Sequence, residues 1–319
     1  MAKKPGKKGG GCLKGCLVFV GVIILLALGI STFVGQEWNR SDEAVLKGYQ
    51  APPEVADFAE KTGMNEKGKA NLYRGEPVFL QGQVFKDTCL SKGFQGELAG
   101  GCMLSGPVKS RFGLPIAATR IYLLQIDDPE FIDHKYTTAA HEMLHIVYKR
   151  LDSKDRKRID DLVEKEIAKR PDDKNITARV EAMKRLKKNY QDELHSQFGT
   201  VYGDLSPELE EHYKEYFSDR GKLLAIVERD GMTKRMRRQD ELAQELSELN
   251  GKLTTMQGQL NSYKSSGDES GFNSLAPQFN RMVNQYNTRA AEVRQINSEM
   301  VQFYQYIDPD YKPPQERSQ

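Results

Sequence analysis

The chain has 319 residues, which is long enough to bury a sizeable core and to hold more than one module. Charged residues make up 29% and apolar residues 38%, a composition that excludes a disordered or fibrous protein. The formal net charge is +2, but the first sixteen residues hold five lysines and no acid, so the remainder carries −3. This balance argues against a general nucleic-acid binder, because such proteins are broadly basic.

An uncharged apolar run follows the lysines over Cys16–Val34. Its 19 residues approach the ~20 that a helix needs to cross a bilayer. The lysine excess predicts a cytoplasmic tail at 1–15 and a transmembrane signal anchor at 16–35, with the rest of the chain outside the cytoplasm. A cleaved signal peptide is the alternative, since residues 27–29 form a small-x-small triplet. Apolar sequence continues past this triplet, which favours the uncleaved anchor.

Two of the four cysteines, Cys89 and Cys102, lie in the exported part, within or beside a glycine-rich stretch. Outside the cytoplasm, such a pair is expected to form a disulfide that closes a short loop. Zinc binding by this pair is less favoured, because the spacing is not CxxC and further soft ligands are missing.

The exported part is expected to begin with a tether at 36–62, in which Pro52-Pro53 lead into a short helix, followed by a mainly helical α+β domain at 63–230. The first part of this domain, 63–118, is rich in glycine and irregular, with short strand-like pieces such as Pro77–Leu80. Arg120–Ile126 is the best strand candidate, because its residues are β-prone and a turn sequence follows. Apolar residues at helical spacing predict a buried helix over Thr137–Leu151. Further expected elements are charged helices near 153–170 and 176–190, a helix from Pro207, and a disordered tail at 309–319.

Two heptad seams occupy the C-terminal part, one over Leu242–Tyr263 and the other over Leu275–Ile307, with Arg289 as a polar seam position. Residues 265–274 between the seams are rich in Gly, Ser and Asp. The pattern predicts an antiparallel coiled-coil hairpin over 231–308 that projects from the domain and returns to it. A single long helix that pairs between molecules is the alternative.

The buried helix carries the HExxH pattern His141-Glu142-Met143-Leu144-His145. Residues i and i+4 share a helix face, so both imidazoles can reach one zinc ion. Zinc lowers the pKa of a bound water to ~7, and Glu142 lies beside the first ligand, where it can act as a general base. The alternative is a helix whose histidines are merely packed in the core, but it would bury three polar groups without partners.

Glu193 lies on a later segment that supplies the third ligand expected of a catalytic zinc. With this glutamate, the chain resembles the gluzincins, zinc metallopeptidases with HExxH on one helix and a glutamate ligand on a later one. Glu193 and Ser196 fit the ExxS part of the thermolysin-like NExxSD motif. Asp192 stands where Asn is usual, and Gln197 stands where Asp normally orients a ligating histidine, so the subfamily is unassigned. His195 is the rival third ligand.

The resemblance covers roughly residues 119–200 and implies a zincin-like fold. In such enzymes an edge strand flanks the substrate, a role that Arg120–Ile126 would take. A hydrogen-bond donor for the oxyanion of the tetrahedral intermediate is also needed. His212 is the first candidate for this donor. The other candidates are Tyr213, Tyr216, His195 and Tyr202.

The sequence thus predicts a membrane-anchored zinc metallopeptidase with His141, His145 and Glu193 as ligands. Glu142 would take a proton from the zinc-bound water and pass it to the leaving amine. The expected partners are a peptide or protein substrate, the bilayer and a protein that binds the hairpin, but no nucleic acid. The lysine tail and the export signal suit a bacterial cell envelope. The competing hypothesis is a catalytically inactive zincin-like protein that works as a coiled-coil scaffold.

Overall fold

The computed structural model describes residues 40–89, 100–109 and 115–312. The expected cytoplasmic tail at 1–15 and the transmembrane anchor at 16–35 lie outside these residues, as does most of the tail expected at 309–319. Within the described ranges, no helix is both long enough and apolar enough to cross a membrane.

Helices dominate the described residues, and the strands form one small sheet, so the mainly helical α+β class is confirmed at that level. The helices are α1 (Asp42–Gly48), α2 (Pro53–Lys61), α3 (Glu66–Arg74), α4 (Gly82–Cys89), α5 (Ile132–Arg150), α6 (Ser153–Ala168), α7 (Lys174–Arg185), α8 (Tyr190–Val201), α9 (Pro207–Lys214), α10 (Arg220–Arg229), α11 (Gly231–Ser266) and α12 (Glu269–Ile307). The strands are β1 (Val78–Leu80), β2 (Gly101–Lys109) and β3 (Pro115–Leu124).

The strand expected at Arg120–Ile126 overlaps β3, which begins earlier, ends at Leu124 and lies in the centre of the sheet. It pairs in parallel with β1 and antiparallel with β2, so that Tyr122 lies opposite both Val78 and Cys102. The expectation that this strand flanks the substrate is therefore wrong, because both of its edges are already hydrogen-bonded. The edge strands of the sheet are β1 and β2.

The segment expected to be a tether, 36–62, packs onto the domain from α1 onward. Val55 and Phe58 of α2 are fully buried in the main core, and Arg74 of α3 pairs with Asp42 of α1. The glycine-rich part that follows also contains two helices, α3 and α4. Helices α1 to α4 have 7 to 9 residues each, and such short helices have too few turns for a helical spacing of apolar residues to stand out in the sequence.

Helix α5 runs through the main core and begins five residues before the expected start at Thr137. It packs against α3, α8 and α10. The contact with α8 is close because Gly199 faces α5. A Cβ atom at this position would lie 2.4 Å from Leu144 Cδ1 and 2.6 Å from Tyr213 Cε1, so a larger residue there would displace these two buried side chains.

Helices α11 and α12 pack along each other as the antiparallel hairpin that the two seams predicted. The chain reverses at Gly267, whose φ of 73° is the left-handed conformation that favours glycine. The polar seam position Arg289 pairs with Glu245 across the hairpin, and Arg238 pairs with Glu292. The polar seam position is thus paired with an opposite charge on the other helix.

The hairpin does not only project from the domain. Its root, which comprises residues 231–242 of α11 and 296–307 of α12, is buried in a second apolar cluster. This cluster also contains the disulfide between Cys89 and Cys102, which is confirmed and links α4 to β2. Phe303 of α12 meets Phe131 with 5.4 Å between ring centroids. The other buried members are Phe85, Leu124, Ile126, Met232, Leu242, Ile296, Met300 and Ile307.

Glu166 is a fully buried carboxylate that joins α6 to the start of α9. Its side chain accepts hydrogen bonds from Lys169 Nζ, from Arg170 Nη1 and from the backbone N–H of Ser206. Burial alone would raise the pKa of the Glu166 carboxyl, but these donors favour the anion and lower the pKa to about 2.

Replacing this anion is expected to destabilise the fold. Glu166→Gln should lower the free energy of unfolding at pH 7 by roughly 2–4 kcal/mol, because a buried donor set loses its anionic acceptor. The folded-state pKa is depressed, so the stabilisation is fully present above the ordinary value of 4.5 and is lost as pH falls through about 2. Urea unfolding of the wild type and the variant at pH 7 and pH 3 measures this effect.

The exposed Glu181 provides the matched control, because Glu181→Gln should leave stability unchanged at both pH values. The difference between wild type and Glu166→Gln should be smaller at pH 3. A difference of equal size at both pH values would contradict the role given to the Glu166 anion.

Candidate metal centre

The two histidines of the HExxH pattern and Glu193 lie together, as expected. Helix α5 presents His141 and His145 on one face, and α8 presents Glu193 towards them. His141 Nε2 lies 3.4 Å from Glu193 Oε1, and His145 Nε2 lies 3.5 Å from Glu193 Oε2. One ligand atom from each residue lies within 4.8 Å of the others, so this group could hold a metal ion.

The separations suit a tetrahedral ion. A metal with ligand bonds of ~2.1 Å holds neighbouring ligand atoms about 3.4 Å apart. The distances of 3.4 and 3.5 Å from the histidine nitrogens to the Glu193 oxygens match that spacing. The His141 and His145 rings meet edge to face at 82°, with 4.8 Å between their centroids. The donor set therefore fits a metal ion, with one ligand atom from each residue within 4.8 Å of the others.

Glu193 lies in the first turn of α8, which begins after Asn189. The Asn189 side chain accepts a hydrogen bond from the backbone N–H of Gln191 and so caps the helix. Burial would raise the pKa of the Glu193 carboxyl, but His141, His145 and Arg179 lower it well below its usual range. The carboxylate is therefore held as an anion, which is the form that binds a metal.

Glu142 lies between the two histidines in the sequence. Its side chain is buried and lines the same cavity as both histidines. Burial raises the pKa of its carboxyl, and the neighbouring His145 and His141 only partly oppose this effect. A raised pKa makes a carboxylate a more effective proton acceptor near neutral pH. The position and basicity of Glu142 thus suit the general base expected from the motif.

Asp192 orients His145, a role that the sequence left in doubt. His145 Nδ1 lies 2.7 Å from Asp192 Oδ1, and the hydrogen bond leaves Nε2 directed at the metal cluster. Burial would lower the pKa of His145, but the carboxylates of Asp192, Glu193 and Glu142 raise it well above its usual value. In the sequence, Asp192 differs from the Asn of the NExxSD pattern. In the structure, its carboxylate contacts His145 Nδ1.

Most of the residues proposed as hydrogen-bond donors for the oxyanion lie away from the metal cluster. His212 Nε2 is 2.9 Å from His195 Nε2, and His212 lines a separate cavity of about 240 Å³ together with Tyr216. Tyr213 is fully buried and donates its hydroxyl to the backbone carbonyl of His195. Of the candidates, Tyr202 lines the metal cavity, where its hydroxyl donates to Asp173.

His195 follows Glu193 by two positions, so these side chains leave α8 on different faces. Glu193 therefore joins the HExxH histidines, whereas His195 is directed towards α9 and His212. Burial lowers the pKa of both rings, in the case of His212 to about 4, which keeps this pair neutral near pH 7. The structure thus does not bring His212, the expected oxyanion donor, to the metal cluster.

The metal cluster opens into a cavity of about 820 Å³. One side is lined by Gly101 and Met103 of the edge strand β2, and another by α7 and α8. The root of the hairpin contributes Met236 and Asp240 of α11 to the wall. Asp240 also accepts a hydrogen bond of 2.7 Å from Asn175 of α7. The hairpin root is therefore a part of this cavity, which the sequence did not predict.

Comparison of the chain with protein-family models, with curated proteins and with solved structures gives no match. The likeness to gluzincins rests on the HExxH pattern and Glu193. A functional assignment therefore depends on the geometry and chemistry of this cavity.

The orienting role of Asp192 leads to a test of metal affinity. Asp192→Ala removes the acceptor for His145 Nδ1, so the affinity for Zn²⁺ is expected to fall by roughly 10–100-fold. Competition with a chromophoric chelator measures the dissociation constant. The exposed Asp172 gives the control Asp172→Ala, which should bind Zn²⁺ like the wild type. Equal affinity in all three proteins would show that Asp192 does not orient the ligand.

Proposed function

We propose that the protein is a gluzincin-like zinc metallopeptidase that hydrolyses peptide bonds. The observation that carries this proposal is the meeting of His141, His145 and Glu193, with one ligand atom from each within 4.8 Å of the others and Glu142 in the same cavity. Two imidazoles and one carboxylate are a donor set of catalytic zinc sites. When bound, zinc would polarise the scissile carbonyl and lower the pKa of a water molecule.

Glu142 performs the proton transfers in this proposal. Its carboxylate accepts a proton from the water that attacks the carbonyl carbon, and it then protonates the nitrogen of the leaving amine as the C–N bond breaks. The burial of Glu142 supports this role, because it raises the pKa of the carboxyl. Asp192 supports the same chemistry by fixing the ring of His145.

An extended peptide is the substrate that the cavity favours. Strand β2 is an edge of the sheet and brings Gly101 and Met103 to the cavity. An edge strand presents backbone N–H and C=O groups that can pair with an extended chain. A polypeptide bound along β2 would thus pass the metal cluster on α5.

We place the enzyme outside the cytoplasm, anchored by residues 16–35, in a cell envelope. The five lysines before the apolar run support this orientation. The disulfide between Cys89 and Cys102 also supports it, because disulfides persist in oxidising compartments. The part of the hairpin beyond its buried root is then available for a protein partner.

Glu142→Gln separates the peptidase from an inactive scaffold. The full-length protein, purified in detergent, is expected to cleave casein, and the variant should lose at least about 100-fold in rate. The variant should retain its zinc, because Glu142 is not a ligand. Gel electrophoresis of casein digests and metal analysis measure the two quantities.

The matched control is Glu181→Gln, which changes an exposed glutamate of α7 and should cleave casein at the wild-type rate. Cleavage by Glu142→Gln at the wild-type rate would rule out the proposed mechanism. A wild type that holds zinc but cleaves no peptide bond would favour the coiled-coil scaffold.

A further inference from the structure

Arg179 of α7 contacts the carboxylate ligand of the metal cluster directly. Its Nη1 donates a hydrogen bond of 2.6 Å to Glu193 Oε1. Its side chain is 25% exposed and lines the cavity beside His141 and His145. No sequence pattern distinguishes this residue from the many other cations between positions 149 and 189.

The position of Glu193 by itself permits two modes of metal binding. Oε1 lies 3.4 Å from His141 Nε2, and Oε2 lies 3.5 Å from His145 Nε2, so both oxygens face the cluster. If both oxygens bound the metal, the protein alone would supply four donor atoms. A catalytic zinc keeps three protein ligands and an open position for water or substrate. A second bond from Glu193 would compete for that position.

We propose that Arg179 is a positioning residue that holds Glu193 as a monodentate ligand and so keeps one coordination position open. This inference rests on the proposed function. The guanidinium donates a charge-assisted hydrogen bond to Oε1, which leaves Oε2 to bind the metal. Arginine suits this role because it stays protonated in proteins and its donors have a fixed planar geometry.

The charges around the cluster agree with this arrangement. Glu142, Asp192 and Glu193 contribute three negative charges when they are ionised, and the two histidine ligands are neutral when they bind a metal. A divalent ion and the Arg179 guanidinium together supply three positive charges. Without Arg179, the carboxylates would exceed the charge of the ion, and Glu193 Oε1 would lose the hydrogen-bond donor that holds it away from the metal.

The placement of Arg179 depends on how α7 is held. Asp173 caps this helix by accepting hydrogen bonds from the backbone N–H groups of Asn175 and Ile176. The Asn175 side chain in turn donates to Asp240 of α11. The hairpin root therefore fixes the helix that carries Arg179, one turn away from this contact.

The absorption spectrum of the Co²⁺-loaded protein tests the inference. Four-coordinate Co²⁺ absorbs more strongly in the visible range than five-coordinate Co²⁺, so coordination number can be read from band intensity. The wild-type full-length protein should show intense bands, and Arg179→Met should lose about half of this intensity or more as Glu193 becomes bidentate. Arg179→Lys retains one cationic donor and should restore the wild-type spectrum.

Arg185→Met is the matched control, because Arg185 is an exposed arginine of the same helix. Circular dichroism checks folding, and Arg179→Gln replaces Arg179→Met if the latter does not fold. If Arg179→Met shows unchanged Co²⁺ bands and X-ray absorption gives it a coordination number of four, the inference about Arg179 is wrong. The proposed peptidase function would still stand. A wild type that binds neither Co²⁺ nor Zn²⁺ would overturn both.

Discussion

The close packing of α8 against α5 is the contact on which the candidate site depends. Gly199 allows the two helices to approach, since a Cβ at this position would meet Leu144 at 2.4 Å. The approach brings Glu193 within 3.5 Å of both histidine nitrogens, although 48 residues separate it from His145 along the chain. A metal would then bind at a junction of two helices that are already fixed by the apolar core.

The site also gathers charges that are costly to bury. Glu142 and Glu193 are both buried, and Asp192 lies beside them. In the protein itself, the histidines and Arg179 compensate Glu193, whose carboxyl pKa they lower, whereas burial raises the pKa of the Glu142 carboxyl. A divalent cation at this point would complete the compensation. The arrangement therefore favours metal binding over a merely structural role for these polar groups.

The sequence predicted the parts whose signal is local and periodic. Spacing within one helix identified His141 and His145, and two long heptad seams identified the hairpin, because many turns repeat the same pattern. It failed for the short helices α1, α3 and α4 and for the central position of β3, which depend on contacts between distant segments. His212 was misplaced and Arg179 was missed for the same reason, since the direction of α9 and α7 follows from tertiary packing.

The hairpin is not only an appendage, because its root forms part of the core and of the metal cavity. Its root shares a core with the disulfide and with β3, and it lines the metal cavity through Met236 and Asp240. The two modules are therefore joined at the site and not only by the chain. A partner that binds the outer hairpin would act on a structure that reaches the cavity wall.

Metal content tests most directly whether His141, His145 and Glu193 form a zinc site. Full-length protein purified without added metal would be analysed by mass spectrometry beside Glu193→Ala and the surface control Glu181→Ala. We expect one zinc per chain in the wild type and the control, and a large loss of zinc in Glu193→Ala. A wild type without zinc, or a Glu193→Ala variant that retains it fully, would contradict a zinc site at these residues.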